Sequence, residues 1–411
     1  MKKIVFRNGI YTVLRPLYYV CKVFGLASYS YVADRRNKRV TADCGYCNYM
    51  FTVIWLIMCT VGLLVDILIL RTFVFDTQNL SIGYKICRIL SYTSCILAVV
   101  WVSVIKRRNF LEVLEHISEV GNKIRYTQQE ATYMNRNMMF NIISEIIVLT
   151  ATHGPVIIYN INLFASEPYY ITIIQTISFV PAICNAIILF QFVNLVFMMK
   201  QRFSHLNKRL TNWISGAVIR PIYSKKENVM CNQSVRAVDQ VNITRLFVSN
   251  VRNIEGTLRQ TDIHWLQQIH SEMYDITCLI NDTYGVPILA TTCWILTCFI
   301  FSPYEALNNI NETSVEDIAC VVVYMVLFFK VIFFCHTATN EARSSTTVVG
   351  KLLLEENWRK ECVKQLKIFS LQLQAMKNGY TACGFFSPNL SLFTSVVSVI
   401  VSYVVILVQI K

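Results

Sequence analysis

This 411-residue chain has little charge: 15% of its residues are Asp, Glu, Lys or Arg, against 54% hydrophobic. That balance excludes an ordinary soluble domain and points to an integral membrane protein. Catalytic signatures are missing too. There is no phosphate loop, no nucleophile elbow and no H-E-x-x-H, so no enzyme class is supported. The 15 cysteines suggest a disulfide framework, yet the short loops after Phe164 and Phe301 hold none, and most of the others fall in apolar runs or basic segments. Cys44 and Cys47 form one C-x-x-C without a second pair or nearby His, so thiols are expected there and no metal or cofactor. Residues 1–49 lack the apolar core and cleavage site of a signal peptide. No internal repeat of the kind transporters show is visible, which leaves a secondary transporter as a remote alternative.

What is present is a series of apolar runs of spanning length, about 50–70, 86–105, 139–164, 171–199, 276–301, 318–336 and 390–410. Roughly 20 residues at 1.5 Å rise cover a hydrocarbon core of about 30 Å. The fold class expected is therefore an all-α membrane protein with seven transmembrane helices. The net charge of +13 does not require nucleic acid, because 33 of the 38 Lys and Arg lie in residues 1–49, 106–138, 200–275 and 337–389. The intervening loops 165–170 and 302–317 have none, and the second carries Glu305, Glu312, Glu316 and Asp317. By the positive-inside rule the N-terminus is cytoplasmic, and seven spans put the C-terminus outside. That topology is opposite to a G-protein-coupled receptor. Among the Asn-x-Ser/Thr sites, Asn79 and Asn311 fall in outer loops and are the plausible glycan acceptors.

The domains read as a cytoplasmic segment 1–49, spans one to four within 50–199, cytoplasmic helical extensions and a loop within 200–275, spans five and six within 276–336, a cytoplasmic helix within 337–389, and the last span, 390–411. Phe203, Leu206, Leu210, Trp213 and Ile214 keep helical spacing, as do Ile263, Leu266, Ile269, Met273 and Ile276. A polar loop is expected over 216–251. One further amphipathic helix carries Val349, Leu352, Leu353, Val363, Leu366, Phe369 and Leu373. These stripes read either as separate solvent-facing helices or as one bundle that joins subunits; the bundle is favoured, because apolar faces of that length need cover.

Polar groups inside the spans cost a few kcal/mol in hydrocarbon unless they face protein or water. His153, Tyr159, Gln175, Asn185, Trp294 and Tyr324 converge on the outer half of spans three to six, a lining suited to an organic ligand. Each alone is better explained by an interhelical hydrogen bond or an interfacial belt, and the cluster as a whole carries the ligand reading. Bends are expected at Gly154-Pro155 and near Pro181. Of the intramembrane charges Asp66, Glu145 and Lys330, Lys330 is expected to reach toward the cytoplasm, with a buried ion pair as the alternative, and Asp66 to lie near the headgroups.

The last span sets Ser391, Thr394, Ser395, Ser398 and Ser402 at spacings of three and four, a stripe that suits a helix interface or a wet pore. Its end, Ser402-Tyr403, five aliphatic residues, then Gln409-Ile410, resembles the terminal signature of insect gustatory receptors, with Ser for Thr and Ile for Phe. Arg202-Phe203, Leu206-Asn207, Thr339-Asn340-Glu341-Ala342 and Ala382-Cys383-Gly384-Phe385-Phe386 look like further landmarks of that family. The resemblance implies a ligand-gated cation channel and a homo- or heterotetramer with a cytoplasmic anchor domain. It also implies a plasma-membrane location in sensory dendrites, and Ser402, Tyr403, Gln409 and Ile410 at the pore and gate. Val404 stands where sugar-sensing members tend to have Glu, so a bitter or other plant compound is the tastant expected. The remaining alternatives are an insect odorant receptor and a metabotropic receptor. Membrane lipid is the other partner expected.

Overall fold

The computed structural model describes the chain apart from residues 1–3, 35–38, 44–46, 74–81, 125, 164–178, 231–259, 309–314, 355–357, 359, 377–378 and 410–411; some helix and strand residues, Tyr159 among them, are described by backbone alone. The helices are α1 (Asn8–Val23), α2 (Cys47–Phe73), α3 (Ile82–Val100), α4 (Arg107–Ile124), α5 (Gln128–Leu163), α6 (Val180–Met230), α7 (Gln260–Asn308), α8 (Val315–Leu353), α9 (Lys360–Ala375) and α10 (Leu390–Gln409). A π-helical turn, Trp101–Ile105, follows α3. Among the described residues the named strands form one small antiparallel sheet, β1 (Ile4–Arg7), β2 (Ser30–Asp34) and β3 (Arg39–Asp43), in the order β1-β3-β2. By length and composition α2, α3, α6, α7 and α8 can cross a membrane; α10 carries a shorter described apolar stretch, Leu390–Ile406. The more polar α5 is 36 residues long.

Local chemistry fixes where several helices start. Thr127 and Glu130 form a reciprocal capping box at α5: the Thr127 amide donates to Glu130 Oε2 at 2.9 Å and the Glu130 amide to Thr127 Oγ1 at 3.3 Å. Asn389 caps α10, accepting the Leu392 amide at 2.8 Å on Oδ1. Pro181 stands at the second residue of α6, where its missing N–H is no loss, and residues 164–178 of the expected fourth span lie outside the described residues. Two expectations from the sequence need correction. The polar loop does not begin at Gly216: α6 continues to Met230, since adding one hydrogen bond per residue to an existing helix is cheap and Lys225, Lys226 and Glu227 are good helix formers. The single amphipathic helix after span six is two, the tail of α8 and α9.

The chain forms two compact units. The first comprises residues 1–199, 275–339 and 379–411. Within it α6 is the central helix, 89% of its apolar window being buried against 17% for α2. Its buried polar residues each tie it to a different neighbour. Asn185 Nδ2 donates to Ser94 Oγ of α3 at 2.8 Å and to the Ser91 carbonyl. Gln191 donates to Cys21 Sγ of α1 at 2.9 Å and accepts from Tyr284 of α7 at 3.3 Å. Asn194 donates to Glu145 of α5 at 2.5 Å. Inside an apolar bundle such bonds give the pairing of helices a specificity that aliphatic contact lacks.

The second unit comprises residues 200–274 and 340–378. Its core is made of the stripes read from periodicity: Phe203, Leu206, Leu210, Ile263, Leu266, Ile269, Met273, Val349, Leu352, Leu366, Phe369 and Leu373 are all buried. Two of the quoted landmarks meet here. Asn207 Nδ2 donates to the Glu341 carbonyl at 2.7 Å and to Ser344 Oγ at 2.6 Å, and its Oδ1 accepts from Ser345 at 2.6 Å. His270 is wholly buried between the rings of Phe203 and Phe369, at 5.5 and 6.0 Å, and neither ring nitrogen has a hydrogen-bond partner among the described residues.

Candidate ligand site and pore helix

Of the six residues expected to line a ligand site, the structure brings two into contact. Trp294 of α7 and Tyr324 of α8 meet edge to face, ring centroids 4.8 Å apart and both buried. Asn185 is engaged by α3 as described, and its carbonyl oxygen has no partner among the described residues. His153 is buried, with Nδ1 2.9 Å from the hydroxyl of Thr152. The Tyr159 side chain and Gln175 lie outside the described residues, as do Asn79, Asn311, Cys44 and Ile410. Gly154-Pro155 sits within the continuous α5.

Further along α8 from Tyr324, a separate group of rings packs against the last helix. One turn along α8, Phe328 packs edge-on to Phe299 of α7 at 6.1 Å and lies 6.3 Å from Phe393 of α10, which Phe329 also meets at 5.2 Å. Sequence reading missed these phenylalanines, although Phe328-Phe329 beside an intramembrane Lys was a visible signal.

The intramembrane charges are paired. Lys330 does not turn toward the cytoplasm: its ammonium lies 2.8 Å from Glu145 Oε1 and over the rings of Phe190 and Phe334, at 5.6 and 5.8 Å. Asn141 and Asn194 donate to the same carboxylate, so its oxygens are satisfied within the protein. The pair wins because a lysine stem reaching for water would leave a buried carboxylate unpaired, a loss of about 3–5 kcal/mol. Asp66 is likewise buried and holds Arg88 of α3 in a two-point contact, 2.8 and 3.1 Å. An arginine inside span two needs such an acceptor, and that need was legible without coordinates.

The helix α10 is nearly bare within its own chain. Among its described side chains only Ile400 is buried, while Val399, Val401, Tyr403, Val405 and Ile406 are exposed. The hydroxyls of Ser395, Ser398 and Ser402 donate back to carbonyls four residues earlier at 2.9–3.0 Å, so the stripe is polar without demanding a partner helix. Ser402 and Gln409 are exposed with it. Ahead of α10 the chain makes a tight hairpin: Cys383 and Gly384 both have positive φ, 52° and 78°, and Ala382 pairs with Phe386. Asn281 of α7 clasps this segment, donating to the Gly379 carbonyl at 2.9 Å and accepting the Thr381 amide at 3.2 Å.

The model of the 7tm chemosensory receptor family matches residues 14–411. The chain belongs to that family. The receptor's fold is similar to that of the insect olfactory receptor OR5 from Machilis hrabei, with a TM-score of 0.68 at 10% identity over 98% of this chain and 99% of that one. The same receptor in complex with eugenol matches with a TM-score of 0.60 at 10% identity, over 98% of this chain and 100% of the other. A search of curated proteins gives no match. The receptor is thus a predominantly helical member of the 7tm chemosensory receptor family, with a fold similar to that of an insect olfactory receptor, and not an enzyme.

Proposed function

We propose that the receptor is a ligand-gated, non-selective cation channel of the gustatory kind, opened by a bitter or other plant compound. The observation that carries this reading is α10: an apolar helix with a hydroxyl stripe, of which one described side chain alone is buried in its own chain. Such a helix needs other surfaces, lipid on one side and copies of itself on another. Four copies about an axis would line a path with the serine stripe, Tyr403 and Gln409. Aliphatic residues near Gln409 and Ile410 would hold that path shut by dewetting. A ligand entering from outside among the third to sixth spans, at the Trp294–Tyr324 pair, shifts the closed-to-open equilibrium by binding one arrangement better. Phe328, one turn along α8 from Tyr324, lies against Phe393 and links α8 to α10. The anchor domain corresponds to residues 200–275 and 337–389, the N-terminus is cytoplasmic, and the assembly is a homo- or heterotetramer in the plasma membrane of sensory dendrites.

An odorant receptor is the second reading, favoured by the olfactory identity of the similar structure. Expression in cells with a calcium readout, against sugars, alkaloids, glycosides and eugenol, separates the two. Agonist should then open a cation current in excised patches without nucleotide or G protein. A current that needs cytosolic messengers refutes the channel and leaves a metabotropic receptor.

A further inference from the structure

The helix α1 has two faces of different chemistry. Val13, Leu14, Leu17, Tyr18 and Cys21 are buried, while Thr12, Arg15, Tyr19 and Val23 form the opposite, exposed stripe. Tyr19 is 49% and Val23 59% exposed, and the Arg15 guanidinium lies over the Tyr19 ring at 5.5 Å. An arginine, an aromatic and an aliphatic residue in that order along one stripe suit the boundary between headgroups and acyl chains. The far end of α1 is fixed against the first span. Trp55 Nε1 donates to the Val23 carbonyl, Phe24 stacks on Trp55 at 5.4 Å, and Thr52 Oγ1 donates to the Gly25 carbonyl at 2.7 Å. Gly25, at φ 71°, approaches α2 so closely that a Cβ there would lie 3.0 Å from Thr52 Cα and 3.2 Å from the Phe51 carbonyl. Phe51 and Ile54 on that same turn of α2 are exposed, and only 17% of the apolar window of α2 is buried.

We infer that the exposed stripe of α1 rests in the headgroup layer of the bilayer and selects anionic phospholipids. Charge complementarity decides the occupant: residues 1–49 carry nine Lys and Arg against two acidic residues, Asp34 and Asp43. A basic segment next to a span is drawn to the acidic cytoplasmic leaflet. Arg15 meets a phosphate or serine carboxylate through its planar fork, Tyr19 sits at the level of the esters, and Val23 enters the acyl boundary. The inference rests on the cytoplasmic placement of the N-terminus but not on gating, so no agonist is needed to test it.

The test uses the full chain in nanodiscs of equal phosphatidylcholine and phosphatidylserine, with a benzophenone amino acid at Tyr19 or at Val23 and a control at Ile54 on α2. Irradiation should give lipid adducts at all three positions. At 19 and 23 phosphatidylserine should exceed phosphatidylcholine by roughly fivefold, the weight of one cation near a charged surface, and Arg15→Gln should bring the ratio to parity. Adducts from 19 and 23 to a second copy of the chain overturn the inference in favour of a protein interface. Equal capture of the two lipids overturns the headgroup preference. Absence of lipid adducts at 19 and 23 while Ile54 gives them overturns the placement, and absence at Ile54 as well refutes the spanning reading of α2. A tag at Met1 reached by antibody in intact cells would refute the cytoplasmic N-terminus separately.

Discussion

Replacing Gly285 by alanine or valine should destabilise the receptor and displace the start of α10. A Cβ built on Gly285 falls 3.0 Å from the Cys383 backbone nitrogen and 3.1 Å from its Sγ, tighter than ordinary van der Waals contact. The sulfur can rotate away, but the nitrogen cannot. It belongs to a hairpin turn with two consecutive positive φ angles, closed by the Phe385 amide on the Ala382 carbonyl at 3.0 Å and clasped by Asn281. Overpacking of this kind costs about 1–3 kcal/mol, with valine above alanine. Because Leu390 follows Phe386 by four residues, strain relieved by moving the hairpin moves α10. Asn281→Ala, which removes both clasping bonds and strands a part-buried carbonyl, should cost about 2 kcal/mol by a different route.

The assay is the melting temperature of purified receptor in one detergent, together with its basal cation conductance. Gly154 and Gly350 serve as controls, since both are helical and a Cβ on either meets nothing within 4 Å. Alanine there should be neutral or stabilising by about 0.5–1 kcal/mol, the opposite sign. If Gly285→Val melts with the wild type, or if all three alanine variants shift alike, the close approach of α7 to the hairpin is refuted.

Neutralising one member of the Glu145–Lys330 pair, as Glu145→Gln or Lys330→Met, should cost about 3–5 kcal/mol, while the double variant should recover most of it; additive losses in thermal melts would contradict direct pairing. Burial between two phenylalanines lowers the pKa of His270 to about 4, outside the spans. Below the unfolded value of about 6.5 the unfolded chain takes up a proton that the fold excludes. Stability from this residue is therefore full above that pH and falls by about 3 kcal/mol toward pH 4, and His270→Phe should remove that part of the acid sensitivity in melts between pH 7 and 4.5. A tag at Met1 should need permeabilisation for antibody access, and one after Lys411 should not; the reverse would overturn the topology. Cysteine at 402, 403 or 409 should be blocked by water-soluble thiol reagents in an agonist-dependent way, whereas reactivity confined to another span would remove α10 from the pore.

The bundle was legible in the sequence because its signals are long and periodic. The stripes from Phe203 to Leu210 and from Ile263 to Met273 could be laid out without coordinates, and all seven of their quoted residues, Phe203, Leu206, Leu210, Ile263, Leu266, Ile269 and Met273, are buried. What the sequence did not yield was partnership. Lys330 and Glu145 are 185 positions apart, and no period within either helix relates α8 to α5. The sheet β1-β3-β2 escaped for another reason: Ile4–Arg7 and Arg39–Asp43 are four- and five-residue strands among basic residues, too short for alternation to stand out.

Those partnerships also sort the polar residues by what they have left to offer a ligand. Asn194, Asn141, Glu145 and Lys330 spend their hydrogen bonds on one another, Asp66 and Arg88 do the same, and Gln191 is held between α1 and α7. Groups so engaged set which helices adjoin, and a ligand competing for them would have to leave a charge or an amide unpaired in hydrocarbon, at a cost of several kcal/mol. For the ligand proposed above, the edge-to-face pair Trp294 and Tyr324 would supply rings, and the Asn185 carbonyl oxygen on α6 is a buried acceptor without a partner among the described residues. In the proposed mechanism a ligand that spreads this pair would act on α10 through α8, where Phe328, one turn beyond Tyr324, lies 6.3 Å from Phe393. Under that proposal the ligand is aromatic and weakly polar, a plant phenolic or alkaloid rather than a sugar, whose hydroxyls need many hydrogen-bond partners.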